Sequence, residues 1–295
     1  MKITNKHNLP QTIVNVLHRP TYSKGKANIS ATELLTAPRI VQLKREHWDK
    51  LEQDAAEMVW SLFGSAVHNV LEHGRDEHHV VEQRLHAEVS GWSVSGAIDL
   101  QEVEEDGVII SDYKVTSAWT VMNEKEDWHR QLNIYAWLVE KVKRQNVKKL
   151  QIVAIVRDWA AREAKVKPEY PQAPVVVIDI AIWPFDTRQE FVEDRISMHS
   201  DAMFAQSMGD QLPECSPADM WERPTMYALK KEGGLKAKKV FATKEEAEEA
   251  LTPGHIIEVR QGERVRCANY CQVSEFCDQY QTYLRNQNDH DSTAS

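Results

Sequence analysis

A single switch of hydrophobic period limits what this chain can fold into. Up to about His73 the apolar residues recur at helical spacing. From residue 89 they alternate, and an Asp-Gly turn then folds the alternation back on itself. Residues 89–100 put Trp92, Val94, Gly96 and Ile98 on one face of a strand. Glu104-Glu105-Asp106-Gly107 is the turn, since Asp-Gly accepts the positive φ of a tight hairpin, and residues 108–115 form the return strand. A lone hairpin is not stable in water, so other elements must cover it. A helix is expected before it, over about 53–73, with Val59, Leu62, Phe63, Ala66, Val67 and Val70 as a buried face and Gly74 as its stop. Another follows over about 127–143, with Trp128, Leu132, Tyr135, Ala136 and Val139 in register. Val- and Ile-rich strands are expected at 151–156 and 175–182, separated by a loop with three prolines, and a helix at 187–208. The pattern is α/β: a mixed sheet flanked by helices.

The 295 residues suffice for one large domain or a domain with an insertion. Residues 1–29 are polar and expected to be flexible. Ser30 opens the core as a helix N-cap, with Glu33 three positions on. The core is expected over 30–212. After Pro213 come two short strands about Gly233-Gly234, a short acidic helix from Lys244 and a strand near 256–259. These form a small C-terminal ββαβ insertion within 213–285, and a disordered tail is expected over 286–295. No apolar run approaches the ~20 residues of a membrane helix, and residues 1–10 are polar, so a cytoplasmic location is expected. A formal net charge of −9 argues against a protein that coats nucleic acid by bulk electrostatics, though not against an enzyme that acts on it. A local basic strip exists: residues 223–244 carry seven basic side chains against one acid. Lys230, Lys231, Lys236, Lys238 and Lys239 are its candidates for contacting DNA phosphates, unless they form only a solvated hairpin face. No G-x-x-x-x-G-K-[ST] loop is present.

Four short features carry chemistry. In order they are Gly64-Ser65-Ala66-Val67-His68 in the first long helix, Gly96-Ala97-Ile98-Asp99 in the strand, Asp112-Tyr113-Lys114 in the return strand, and Gln131-Leu132-Asn133-Ile134-Tyr135 in the next helix. Strand side chains alternate, so Asp112 and Lys114 share a face and Tyr113 points away. Asp99 can lie beside Asp112 across the hairpin. Two neighbouring carboxylates repel unless a cation sits between them, and Mg²⁺ or Mn²⁺ takes such oxygen ligands. A lysine two residues on can orient water or stabilise charge on a phosphate. His68 would add an imidazole ligand, and Glu72, one helical turn later, a further ligand or supporting carboxylate. Each feature alone is weak, since D-x-K arises by chance in most chains of this size. Their order and placement carry the reading.

Together the four features resemble the signature of the RecB-like branch of the PD-(D/E)XK nucleases, over roughly residues 30–182. That branch includes the RecB and AddB nuclease domains and the iron–sulfur CRISPR adaptation nucleases. The resemblance implies a metal-dependent deoxyribonuclease, most simply an exonuclease. Mg²⁺ or Mn²⁺ would be held by His68, Asp99, Asp112 and the Tyr113 carbonyl, Lys114 would be the catalytic lysine, and Gln131 and Tyr135 would line the DNA path. Asp112 stands where many relatives carry Glu. The stand-alone size is similar to that of phage or bacterial recombination exonucleases, which implies DNA with free ends as substrate and a recombination partner protein. The rival reading is a non-catalytic DNA-binding or assembly module that keeps the nuclease fold. An intact tetrad speaks against it.

All four cysteines, Cys215, Cys267, Cys271 and Cys277, lie in the last third of the chain. Four thiols so confined suit a 4Fe–4S cluster or a structural Zn²⁺, and the alternative is four reduced thiols packed as small apolar residues. The resemblance favours iron–sulfur. Two departures stand: relatives place their first cysteine before the nuclease core, and their later trio begins C-x2-C where this chain has C-x3-C.

Overall fold

A computed structural model describes residues 1–19 and 24–293. The backbone divides into two compact units, one of Met1–Thr36 and Glu52–Gly209, the other of Ala37–Leu51 and Asp210–Ser295. In chain order the first elements are β1 (Lys2–Thr4), α1 (Gln11–Leu17), β2 (Ile29–Ser30), α2 (Ala31–Leu35), α3 (Pro38–Glu46) and β3 (Glu52–Asp54). Then follow α4 (Val59–Glu72), β4 (His79–Val89), β5 (Trp92–Glu104), β6 (Gly107–Thr116), α5 (Ala118–Met122), α6 (Glu126–Lys143), β7 (Val147–Val156), α7 (Ala161–Val166), β8 (Val175–Ile180) and α8 (Phe185–Met208).

The first unit is built on a six-stranded mixed sheet in the order β2-β5-β6-β7-β8, with β4 also paired to β5. The β5–β6 hairpin turns at Glu104↔Gly107, as the Asp-Gly signal requires. β6 and β7 are parallel, and α5 and α6 make the crossover that a parallel pair needs. α6 covers the sheet and buries Trp128, Leu132, Ile134, Tyr135, Trp137 and Leu138. Its approach to β5 depends on Gly96. A Cβ there would lie 2.6 Å from Leu138 Cδ1 and 2.9 Å from Tyr135 Cε1. Gly96→Val should therefore push α6 off the sheet, at a cost of about 1–3 kcal/mol of overpacking. Calorimetry should show a Tm lower by several degrees, and an unchanged Tm would contradict this account of the glycine.

Four expectations are corrected by the structure. The N-terminal segment is not loose among its described residues: β1 pairs in parallel with β3. The Asp54 carboxylate fixes that pairing by accepting from Thr4 Oγ1 (2.9 Å), the Lys6 N–H (2.7 Å) and the Ala56 N–H (3.0 Å). Because residues 52–54 are spent on a strand, the helix expected from 53 begins at Val59. Its apolar face is not buried either: no α4 side chain is, and Phe63 and Val70 are exposed. Finally β4 precedes β5, joined through Ser90 and Gly91, both at positive φ, where the sequence reading had placed one strand from 89.

The second unit starts at Asp210, close to the expected boundary, and also takes in residues 37–51, which the sequence reading placed inside the nuclease core. It contains α9 (Pro217–Met220), β9 (Glu222–Arg223), β10 (Met226–Lys231), β11 (Ala237–Phe241), α10 (Lys244–Glu249), β12 (His255–Arg260), β13 (Glu263–Arg264), α11 (Val265–Asn269) and α12 (Asp278–Thr293). The expected ββαβ arrangement is present: an antiparallel sheet in the order β11-β10-β12, with Leu229, Phe241 and Ala247 as its core. The tail expected to be disordered over 286–295 is helical through Thr293, and residues 294–295 lie outside the described residues. The helix is held by hydrogen bonds rather than by apolar packing: Tyr283 Oη (2.9 Å) and Gln287 Nε2 (3.3 Å) both donate to the Gly262 carbonyl. Hydropathy does not register such a tie.

Candidate active site and cysteine site

The β5–β6 ladder ends at Leu100↔Ser111. The next pair in that register is Asp99 and Asp112, and there the strands part. Tyr113, released from the ladder, donates its N–H to Asp99 Oδ2 at 2.8 Å. On the other edge of β5 the β4 ladder runs from Val81↔Leu100 to Gln83↔Ile98 and skips one position, Glu82 opposite Asp99. Glu82 has φ 48°, a left-handed conformation costly for a residue with a side chain. Both of Asp99's neighbours thus leave regular pairing at the same level. Backbone order is given up there to bring carboxylates together.

His68 comes to this point from α4. Its Nε2 lies 2.9 Å from the Tyr113 carbonyl, which makes Nε2 the donor. Its Nδ1 then faces Glu82 Oε1 and Asp99 Oδ2, each 3.6 Å away. Among the described residues, His68, Glu82 and Asp99 form the group whose ligand atoms lie close enough to share a metal ion. Glu82 raises the His68 pKa, with the charge of Asp99 adding to it and burial opposing. Burial raises the Asp99 pKa, as does the charge of Asp112, against His68 and Lys114. Negative neighbours drive the His68 shift against burial, whereas for Asp99 burial leads and the charge of Asp112 adds to it. A divalent cation is the group that would offset this negative charge, and two or three carboxylate oxygens beside an imidazole suit Mg²⁺ or Mn²⁺.

Asp112 is 1% exposed. Lys114 Nζ is 2.5 Å from its Oδ2, yet that oxygen receives no well-directed hydrogen bond. Gln131 of α6 bridges the pair, accepting from Lys114 Nζ at 3.2 Å and donating to Asp112 Oδ1 at 3.3 Å, and its Nε2 lies 2.8 Å from Tyr135 Oη. The sequence motifs therefore meet in space as expected: Asp112 and Lys114 share a face, and Gln131 and Tyr135 stand over them. Two details differ. Gln131 bonds both Asp112 and Lys114, and Tyr135 reaches them only through Gln131. Glu72 lies outside the group that could share a metal ion, and Glu82 is in it. Counting back from a two-residue Ser90-Gly91 turn pairs 82 with 99, so that turn is the signal from which Glu82 could have been found.

In the second unit all four cysteines line one cleft, with Arg39, Ile40, Met220 and Val273. Gln279 fastens Cys215 by a reciprocal pair: its Oε1 accepts from the Cys215 N–H (2.9 Å), and its Nε2 donates to the Cys215 carbonyl (3.0 Å). Arg39, 1% exposed, brings Nη1 to 4.0 Å from Cys277 Sγ, pairs with Asp278 and donates Nε to the Pro213 carbonyl at 3.0 Å. Burial pushes the Cys215 thiol up to about 12 and Cys267 up to about 11, and raises Cys271 as well. As free thiols they would stay protonated, so a cation must draw the protons off if they are to act as ligands. In the basic strip, Lys230 is paired with Glu258 and Lys239 lies over the Phe241 ring, while Lys231, Lys236 and Lys238 are exposed.

A mixed sheet whose central hairpin holds paired carboxylates and a lysine defines a class of metal-dependent phosphodiesterase folds. The family model described as the PD-(D/E)XK nuclease superfamily matches residues 30–278, and the chain belongs to that superfamily. Among solved structures, the crystal structure of SSO0001 is similar at 19% identity and a TM-score of 0.43, over 64% of this chain and 82% of that one. No curated protein matches. No helix among the described residues is long and apolar enough to cross a membrane.

Proposed function

We propose that this protein is an Mg²⁺- or Mn²⁺-dependent deoxyribonuclease of the RecB-like branch, acting as an exonuclease on DNA ends in recombination, repair or phage DNA processing. The observation that supports it most is the meeting of His68, Glu82 and Asp99 with the buried Asp112–Lys114 pair at one break in the sheet. His68, Glu82, Asp99 and Asp112 would hold the cation, with the Tyr113 carbonyl adjacent. Bound there, it supplies charge neutralisation for the scissile phosphate and acidifies water. The chain's own residues do the rest. Gln131 holds the Lys114 ammonium in a fixed direction, so its charge is placed before the phosphate arrives and needs no reorganisation during reaction. Gln131, whose Nε2 also donates to Tyr135 Oη, keeps Asp112 turned toward the site. In the second unit, Lys231, Lys236 and Lys238 are candidates for phosphate contacts.

The four cysteines are read as ligands of a 4Fe–4S cluster rather than zinc. All four line one cleft, so a single metal group could draw on every one of them.

The test is degradation of end-labelled linear DNA beside closed circular DNA, with Mg²⁺, Mn²⁺ or EDTA. An exonuclease should release short labelled products from the linear substrate only, and none in EDTA. Cleavage of the circle would make it an endonuclease. No cleavage by folded protein would move the reading to a binding or assembly module.

A further inference from the structure

Helix α4 is apolar in sequence yet buries none of its side chains, and Trp60 on it is 56% exposed. Trp119 on α5 is 64% exposed. Large indoles left in water mark surfaces that something else covers. The two belong to one place in the fold. The Arg157 guanidinium lies over the Trp60 ring, 4.3 Å from its centroid, and the Arg157 N–H donates to the Thr116 carbonyl at the end of β6 (2.9 Å). Trp119 follows Thr116 by three residues. Its helix is fastened beside Arg157, because the Ala118 N–H donates to Asp158 Oδ1 at 2.7 Å. The ends of β6 and β7 thus gather two exposed indoles and a cation. Lys114 lies on β6 two residues before Thr116, about 7 Å of strand.

We infer that Trp60, Trp119 and Arg157 form a stacking platform for unpaired bases, so that DNA reaches the Asp112–Lys114 site as a single strand or a frayed end. The inference rests on the nuclease reading for its direction toward that site. In a duplex the base faces are already covered by one another, and only an unpaired base has a face to lay on an indole. Arg157 fits the same occupant. Its charge meets a phosphate, while its plane holds the Trp60 ring in place.

The experiment uses the full chain carrying Lys114→Ala, so that bound DNA survives, and fluorescein-labelled oligonucleotides read by anisotropy. Single-stranded DNA should bind more tightly than a blunt duplex of equal length. Trp60→Ala and Trp119→Ala should each weaken single-strand binding about 5- to 100-fold, with little effect on the duplex. Trp60→Tyr should retain most of the affinity. Both indoles are exposed, so the variants should keep the parent Tm. Equal losses on both substrates, or none, would overturn the platform. So would a light-scattering mass that falls from dimer to monomer in the alanine variants with DNA binding unchanged, since that would assign the indoles to a second copy of the chain. The two readings fail separately. Cleavage that ignores both tryptophans removes the platform and leaves the nuclease. Tryptophan-dependent binding by a Lys114-intact protein that cuts no DNA removes the nuclease and leaves the platform.

Discussion

Lys114→Ala and Asp99→Asn are each expected to lower DNA cleavage at least about 10²-fold, and to part company in every other measurement. Removing one preorganised charge at a reacting centre costs about 10²–10³ in rate, and losing a metal ligand adds to that. Asp99→Asn keeps the shape and the acceptor for the Tyr113 N–H but removes one negative charge from between Glu82 and Asp112. Without metal, the Asn variant should therefore be more stable than wild type, by about 1 kcal/mol or more. Saturating Mn²⁺ should reverse the order. A ligand at a hundred times its Kd stabilises by about 2.7 kcal/mol, and wild type should gain this where Asp99→Asn does not. Lys114→Ala should still bind the metal and still show the thermal shift. Thermal melts with EDTA and with Mn²⁺ decide the matter. A metal-induced shift that survives in Asp99→Asn would remove Asp99 from the metal set, and cleavage that survives Lys114→Ala would remove the lysine from the chemistry.

Cys277→Ser is expected to have the largest effect on stability. The cleft it lines sits over a small apolar cluster of Ala37, Cys215 and Met220, too little to hold Ala37–Leu51 and Asp210–Ser295 together by burial alone. A metal group bound by four thiolates would contribute several kcal/mol or more there. Anaerobically purified wild type should be brown and absorb near ~400 nm, with about four irons per chain. The variant should lose the colour and most of the iron. Limited proteolysis should then cut it rapidly within 210–295 while the unit around the six-stranded sheet survives longer. A colourless wild type with one zinc per chain would replace the iron–sulfur reading by a structural zinc. Wild type without metal that resists protease equally well would reduce the four to ordinary packed thiols.

What could be read in the sequence was what repeats at short range. The Asp-Gly turn fixed the β5–β6 register, and that register alone sets Asp99 beside Asp112 and Asp112 with Lys114. The ββαβ order of the second unit followed from the same kind of signal. Pairings made over long separations were not legible. β1 meets β3 across some fifty residues, and no local propensity announces it. Glu82 was missed because the alternation, clean over 84–89, breaks at the adjacent polar pair Glu82-Gln83, where β4 leaves regular pairing. The exposed α4 misled for the opposite reason: its spacing is that of a buried face, and a surface held open for a ligand has the same spacing. Hydropathy says that something covers a side chain, and it does not say whether the cover belongs to the chain.

The second unit is made of two pieces, residues 37–51 and 210–295, and this has a consequence for how the protein is born. A ribosome adds about 5–20 residues per second. The stretch bearing Arg39 therefore leaves the tunnel roughly ten to fifty seconds before Pro213, Cys277 and Asp278 exist to receive it. In that interval a guanidinium destined for the interior and the apolar side of α3 wait in water, while the six-stranded sheet can already close around them in sequence. Any early stop before Cys277 leaves that segment an orphan for good. A truncated product would carry a finished nuclease sheet with a sticky, uncommitted helix near its start, which is the kind of surface chaperones and proteases recognise.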